Sequence, residues 1–191
     1  MYKTRTYKLY NRIARGEKIT DELIEECKSI GMTIGEIKSK IKYLSDYIST
    51  SELEEGLQLY RSDTYDVFSE VTIENGVFKG ENLSELLRKA ENGDIDISEI
   101  ENALKNQTIE QKAFLSTSLT EDGAMEYQTR TDREIEWIFT TKQHTQGMYI
   151  DIFMDKFTAE WEVLVDTNSK ININKVDYKN NRWCIYADLS S

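Results

Sequence analysis

Residues 157–165 read FTAEWEVLV, in which two glutamates, Glu160 and Glu162, lead into a run of three apolar residues. This pattern predicts the entry of a β-strand. Side chains two residues apart share one face of a strand, so we expect the two carboxylates to point together and Trp161 to anchor the opposite face in the core. Paired carboxylates suit glycosidic chemistry, which passes through an oxocarbenium-like transition state. A solvated pair of charges on an edge strand explains the pattern equally well.

An arginine ends an earlier predicted strand. Residues 57–61 alternate between apolar and polar side chains, and the strand closes on Tyr60-Arg61. Arg61 is interpreted either as a charge on the solvated rim of a sheet or as a planar fork of hydrogen-bond donors for a phosphate.

Three hydroxyl residues, Ser116, Thr117 and Ser118, follow one another within a predicted strand at residues 114–119. Alternation places Ser116 and Ser118 on one face and Thr117 on the other. A hydroxyl in this position can orient a neighbouring carboxylate or amide by a short hydrogen bond. A polar stretch of strand without a special role is the alternative.

The rest of the chain predicts an α+β fold, because strands follow helices. Apolar residues at helical spacing lie between Thr20, a predicted cap, and Gly31, a predicted stop, and Thr33 with Glu36 matches a capping box. An Asn75-Gly76 hairpin is predicted between residues 71–73 and 77–78. Further helices are predicted at 83–91 and 98–105, capped by Asn82 and Ser98, and near 122–127. Further strands are predicted at 135–140, 148–153, 161–166, 171–176 and 182–188.

Composition narrows the function. The 191 residues suit one domain, and 39% hydrophobic residues can bury a core. A formal net charge of -11 argues against a protein that grips nucleic acid by its phosphates. No apolar run is long enough for a membrane span, and no signal peptide is seen. Cys27 and Cys184 follow no metal spacing, so we predict no metal site and two reduced packing residues in a cytosolic protein.

Taken in order, the three polar motifs resemble those of the arginine–STS–glutamate class of mono-ADP-ribosyltransferases. This class includes the enzymatic components of clostridial binary toxins and phage-encoded transferases. The resemblance covers residues 55–188 as a catalytic core, after a helical part at 1–50, within a single domain spanning 1–191. It implies two roughly perpendicular, mainly antiparallel β-sheets, with NAD as substrate in the cleft between them.

The resemblance also implies roles at the NAD site. Arg61 is expected to hold the phosphates of NAD, and Ser116 to orient the catalytic glutamate. Thr117 and Ser118 are expected to support the cleft. Glu162 is expected to hydrogen-bond the nicotinamide ribose and to stabilise its positive charge as nicotinamide departs.

The resemblance further implies roles for Glu160 and Phe157 on the acceptor side. Phe157 is expected to contact the acceptor protein, and Glu160 to position or deprotonate the acceptor. A carboxylate can dock a guanidinium bidentately and take its proton, so Glu160 favours arginine as the acceptor. The alternatives are an NAD glycohydrolase and a transferase acting on another acceptor. The target is expected in a host cytosol, reached by a phage-encoded or injected enzyme.

Overall fold

The structure is a computed structural model that describes residues 6–68, 71, 73, 77–105, 107–125, 134–150 and 161–191. The described residues form six α-helices, a short 3-10 helix and eight β-strands. The helices are α1 (Thr6–Ala14), α2 (Asp21–Ser29), α3 (Ile34–Ile48), α4 (Leu83–Glu91), α5 (Ile97–Leu104) and α6 (Glu121–Met125), with the 3-10 helix at Tyr65–Phe68. The strands are β1 (Gln58–Asp63), β2 (Thr108–Gln111), β3 (Leu115–Ser118), β4 (Ile135–Thr141), β5 (Gly147–Tyr149), β6 (Glu162–Val165), β7 (Ser169–Lys179) and β8 (Arg182–Ser190).

The strands follow the order β2-β7-β8-β4-β1-β3-β6-β5. Among the described pairs, β4 and β8 run parallel and the others run antiparallel, so the predicted α+β class with mainly antiparallel pairing is confirmed. Strand β1 pairs with β4 from Gln58 to Asp63, whereas its register with β3 contains only Tyr60 and Ser118. The strands of the two expected sheets therefore form one continuous strand order, in which the Tyr60–Ser118 pair is the link between β1 and β3.

The main core lies against β1, β4, β7 and β8 and also includes residues of β3 and β6. Alternate residues of β4 point into it, and Ile135, Trp137 and Phe139 are buried there beside Leu59 of β1. Helices α4 and α5 contribute their apolar faces to the same cluster. This arrangement follows from the period-2 pattern of the strands and the wider apolar stripe of each helix.

The start and end of α2 and the start of α3 are those that the sequence predicts. The Thr20 side chain accepts the Leu23 N–H at the start of α2, and Gly31, with a φ of 71°, follows its end. Thr33 and Glu36 form the predicted reciprocal capping box at the start of α3. These helices share a separate hydrophobic cluster formed by Leu9, Tyr10, Ile13, Leu23, Cys27 and Ile37.

Helix α3 also packs against the sheet. Its last residue, Ile48, forms a cluster with Phe114 and with Leu164 of β6. All three side chains are almost fully buried. Helix α3 therefore links the N-terminal cluster to the strand that carries Glu162.

Three local predictions were wrong. Helix α5 is capped by Asp96, whose side chain accepts the Ser98 N–H, and not by Ser98. Residues 77–78, the second arm of the predicted hairpin, lie in a turn at 77–80 and not in a strand. Ile73 exchanges backbone hydrogen bonds with Gly80 and Glu81. The predicted Asn75-Gly76 turn lies outside the described residues. Trp161 does not anchor the core, since it is 47% exposed.

Strand β2 and the 3-10 helix were not predicted. Both cysteines are buried free thiols. No described helix has the length and apolar character needed to cross a membrane. Among the described residues, no group of three or more His, Cys, Asp or Glu side chains is arranged to hold a metal ion.

Replacing Ile48 with alanine is expected to destabilise the fold by about 2–5 kcal/mol, because it leaves a cavity between α3 and β6. Urea unfolding followed by circular dichroism measures this loss. Tyr43→Ala, at a position of the same helix that is 75% exposed, is the matched control and should change stability by less than about 0.5 kcal/mol. Similar losses in both variants would contradict the packing role of Ile48.

Candidate active site

Three neighbouring strands bring the predicted polar motifs together. Strand β3 lies between β1 and β6, so residues 61, 116 and 162, which are far apart in the chain, become neighbours across the sheet. Two hydrogen bonds connect them. An Nη of Arg61 donates to the Ser116 carbonyl at 2.7 Å, and Ser116 Oγ donates to Oε1 of Glu162 at 2.6 Å.

The Arg61 guanidinium lies where β1 and β3 separate. Besides its bond to the Ser116 carbonyl, it donates through Nε and Nη2 to the two carboxylate oxygens of Asp63, each at 2.6 Å. The side chains of Arg61 and Asp63 are 26% and 11% exposed. Arg61 is therefore a half-buried, oriented cation, and the alternative of a solvated rim charge does not describe it.

Glu162 is buried at the start of β6, with 6% of its surface exposed. In the β3–β6 register Glu162 pairs with Ser118, and Ser116 pairs with Leu164. Ser116 and Glu162 are thus diagonal neighbours on one face, within reach of a side-chain hydrogen bond. The prediction that the Ser116 hydroxyl meets a carboxylate agrees with this geometry, and a solvated charge does not describe Glu162.

The hydroxyl groups of Thr117 and Ser118 form hydrogen bonds with backbone groups. Thr117 Oγ1 donates to the Val163 carbonyl of β6 at 2.9 Å, and Ser118 Oγ accepts the Thr120 N–H at 3.1 Å just before α6. Both side chains are buried. Thr117 therefore ties β3 to β6, and Ser118 fixes the turn that leaves β3.

Two predicted acceptor residues, Phe157 and Glu160, lie outside the described residues. Their neighbour Trp161 has a φ of 46° and its carbonyl accepts the Leu119 N–H at 3.1 Å. This φ is far from the extended value of a strand. Alternation along a strand consequently stops at Glu162 and gives no support for placing Glu160 on the same face.

Asp63 is a site residue that the sequence analysis missed. A signal was present, because an Arg and an Asp two positions apart in a strand share one face and can pair. Both interpretations of Arg61, as a solvated charge or as a phosphate ligand, left out a partner within the protein.

The far end of β6 is tied to α3 by a buried carboxylate. Asp166 accepts a hydrogen bond from Ser45 Oγ at 3.0 Å and one from the Thr167 N–H at 2.7 Å. Burial raises the pKa of Asp166 above its ordinary value of 3.8, although these hydrogen bonds oppose the rise. The strand that carries Glu162 is thus held at both ends.

The site pairs a half-buried guanidinium with a buried carboxylate. A guanidinium with an oriented plane can bind a phosphate through parallel hydrogen bonds. A carboxylate removed from water can stabilise positive charge that develops beside it. The Ser116 backbone and side chain keep these two groups at a fixed separation.

Comparison with known proteins identifies the family. The chain matches the ADP-ribosyltransferase exoenzymes over residues 8–189. It belongs to this family. The predicted resemblance is therefore confirmed at the level of an ADP-ribosyltransferase. A comparison with curated proteins finds no match.

Solved structures of ADP-ribosyltransferases share the fold. C3stau2 from S. aureus, solved with NAD, is 18% identical, with a TM-score of 0.66 over 98% of this chain and 82% of that chain. The toxin Plx2a from Paenibacillus larvae is 16% identical, with a TM-score of 0.66 over 98% of this chain and 81% of that chain. BECa, from a binary enterotoxin of C. perfringens and solved with NADH, is 17% identical, with a TM-score of 0.67 over 98% of this chain and 41% of that chain.

Stability should report the burial of Asp166. Because its pKa is raised in the folded state, the stability linked to its protonation is present below about pH 4 and is lost as pH rises through the folded-state pKa. The unfolding free energy of the native chain, minus that of Asp166→Asn, should therefore fall between pH 4 and pH 7. Urea unfolding at several pH values measures this difference.

Asp177→Asn is the matched control, with the opposite sign. Lys175 and Lys179 hold the pKa of Asp177 below its ordinary value, so its contribution to stability is present above that value and is lost as pH falls. The same difference should rise with pH for this variant. A flat or rising difference for Asp166→Asn would contradict the assignment.

Proposed function

We propose that this ADP-ribosyltransferase transfers ADP-ribose from NAD to an arginine side chain of a target protein and releases nicotinamide. The observation that carries the proposal is the hydrogen-bonded connection from Arg61 through Ser116 to Glu162. It joins a group suited to the phosphates of a dinucleotide and a group suited to its reacting sugar. Membership of the family and the NAD and NADH in two solved neighbours support NAD as the donor.

Arg61 binds the pyrophosphate of NAD in this proposal. A planar guanidinium matches the oxygens of a phosphate, and its partial burial strengthens the interaction relative to bulk water. Thr117 and Ser118 support the cleft indirectly, because their hydroxyl groups hold the backbone of β3 against β6 and the following turn.

Glu162 acts on the nicotinamide ribose. The bond between C1′ of the ribose and the pyridinium nitrogen breaks, and its electron pair leaves with neutral nicotinamide. Positive charge then develops on the sugar ring, and the Glu162 carboxylate stabilises it while Ser116 fixes the orientation of that carboxylate. Because the carboxylate is already in place, little reorganisation is needed as the bond breaks.

Glu160 acts on the acceptor. A nitrogen of the target arginine attacks C1′, and the proton that it loses passes to the Glu160 carboxylate. The same carboxylate can dock the guanidinium beforehand by paired hydrogen bonds. Phe157 contributes a contact to the target protein. Both assignments rest on the sequence motif.

We further infer that residues 1–191 act as one catalytic domain in a host cytosol. The family match from 8 to 189 supports a single domain. Two buried free thiols agree with a reducing compartment. The net charge of -11 favours a protein target over a nucleic acid.

Glu162→Gln is expected to lower both nicotinamide release and protein labelling by a hundredfold or more, about 3 kcal/mol of lost charge stabilisation. Chromatography of nicotinamide and transfer of labelled ADP-ribose to a target lysate measure the two activities. Glu136→Gln is the matched control, because Glu136 is also a buried strand glutamate but makes no bond in the Arg61–Ser116–Glu162 connection. Equal activity of Glu162→Gln and the native chain would contradict the proposal.

Glu160→Gln is expected to abolish labelling of arginine while nicotinamide release to water persists, because the amide cannot accept the proton. Mass spectrometry of the labelled proteins identifies the modified residue type, and release of label by hydroxylamine checks for an arginine adduct. Label on another residue type would overturn arginine as the acceptor. Nicotinamide release without any protein label would favour an NAD glycohydrolase.

A further inference from the structure

The Arg61 side chain donates two short hydrogen bonds to Asp63. Its carboxylate oxygens accept from Nε and Nη2, each at 2.6 Å, while an Nη donates to the Ser116 carbonyl at 2.7 Å. These three bonds fix the plane of the guanidinium and its rotation within that plane. A bidentate carboxylate pair of this kind is directional as well as charged.

Asp63 lies in surroundings where water cannot easily replace its hydrogen bonds to Arg61. Asp63 is 8% exposed. In the β1–β4 register it lies opposite Ile135, and Arg61 lies opposite Trp137, both of which are buried core residues. An ionised carboxylate in such a place requires a partner, and Arg61 supplies it.

We propose that Asp63 is a positioning residue that acts through Arg61 and holds its guanidinium in the orientation that binds the NAD pyrophosphate. This inference rests on the proposed function, in which Arg61 binds NAD. Asp63 also balances the charge of Arg61, so the phosphate is recognised by the direction of hydrogen bonds more than by net positive charge. The role assigned to Asp63 is in substrate binding, through its contact with Arg61.

Asp63→Asn is the test. An amide presents one acceptor and one donor in place of two acceptors, so its NH₂ group would face an N–H of Arg61 and the guanidinium would turn. The KM for NAD in nicotinamide release should rise on the order of tenfold, in line with the loss of a charged hydrogen bond. The value of kcat should change by less than about threefold, because binding of the phosphates is common to ground and transition states.

Further variants separate positioning from a general structural effect. Asp177→Asn removes a carboxylate from another strand pair with the same two-residue spacing, Lys175 with Asp177 at 2.7 Å, and should leave the KM for NAD unchanged. In an Arg61→Lys background, which should itself raise KM, adding Asp63→Asn should have no further effect on KM. Asp63→Glu, which keeps the charge at a displaced position, should also raise KM in the native background only, and it serves if Asp63→Asn does not fold.

The outcomes distinguish this inference from the proposed function. If Arg61→Lys raises KM but neither substitution of Asp63 does, the positioning role fails and the proposed function stands. A fall in kcat at unchanged KM, or an equal rise in KM in the Arg61→Lys background, would also overturn the positioning role. If Arg61→Lys leaves KM unchanged, the NAD-binding role of Arg61 fails first and the inference falls with it.

Discussion

The guanidinium of Arg61 lies between two strands that the backbone joins at a single register pair, Tyr60 with Ser118. A half-buried cation is stabilised by a matched anion, and Asp63 supplies one from the same strand. The third contact, to the Ser116 carbonyl, reaches the neighbouring strand β3. One charged side chain thus connects β1 to β3 beyond their single register pair.

The hydrogen-bonded connection continues from Ser116 of β3 to Glu162 of β6. Burial of a carboxylate is costly unless polar partners compensate, and Ser116 Oγ supplies one at 2.6 Å. The strand beneath is held by packing as well, because Leu164 lies in a cluster with Ile48 of α3. The N-terminal helices, which carry none of the proposed site residues, therefore contribute to the site by fixing the strand on which Glu162 stands.

Local signals made most of the fold predictable. Side-chain caps such as Thr20 and the Thr33–Glu36 box act within one turn of helix, so four residues contain the full signal. The cap of α5 was misassigned because Asp96 and Ser98 both offer a suitable side chain, and it is the Asp96 side chain that accepts the Ser98 N–H. Strand β2 is a short edge strand with exposed alternate residues, so it carries little apolar pattern.

The residues of the site that belong to a sequence motif were predictable. Features that depend on the three-dimensional arrangement of the chain were not. The period-2 rule requires an extended backbone, and at Trp161 a φ of 46° removes that condition. The Arg61–Asp63 pair depends on the loss of solvent around β1, which arises from the packing of Ile135 and Trp137. Such burial arises only when β4 packs beside β1, so it cannot be predicted from the sequence of β1 alone.

The net charge of -11 conflicts with an anionic substrate only if recognition is attributed to long-range attraction. On the proposed assignment, the cation that meets the pyrophosphate is itself paired with Asp63, so little net positive charge remains at the site. Binding then depends on oriented N–H groups in a partly dry cleft, where hydrogen bonds to charged oxygens are stronger than in water. An acidic surface is compatible with this mode of binding, because direction and not net charge selects the ligand.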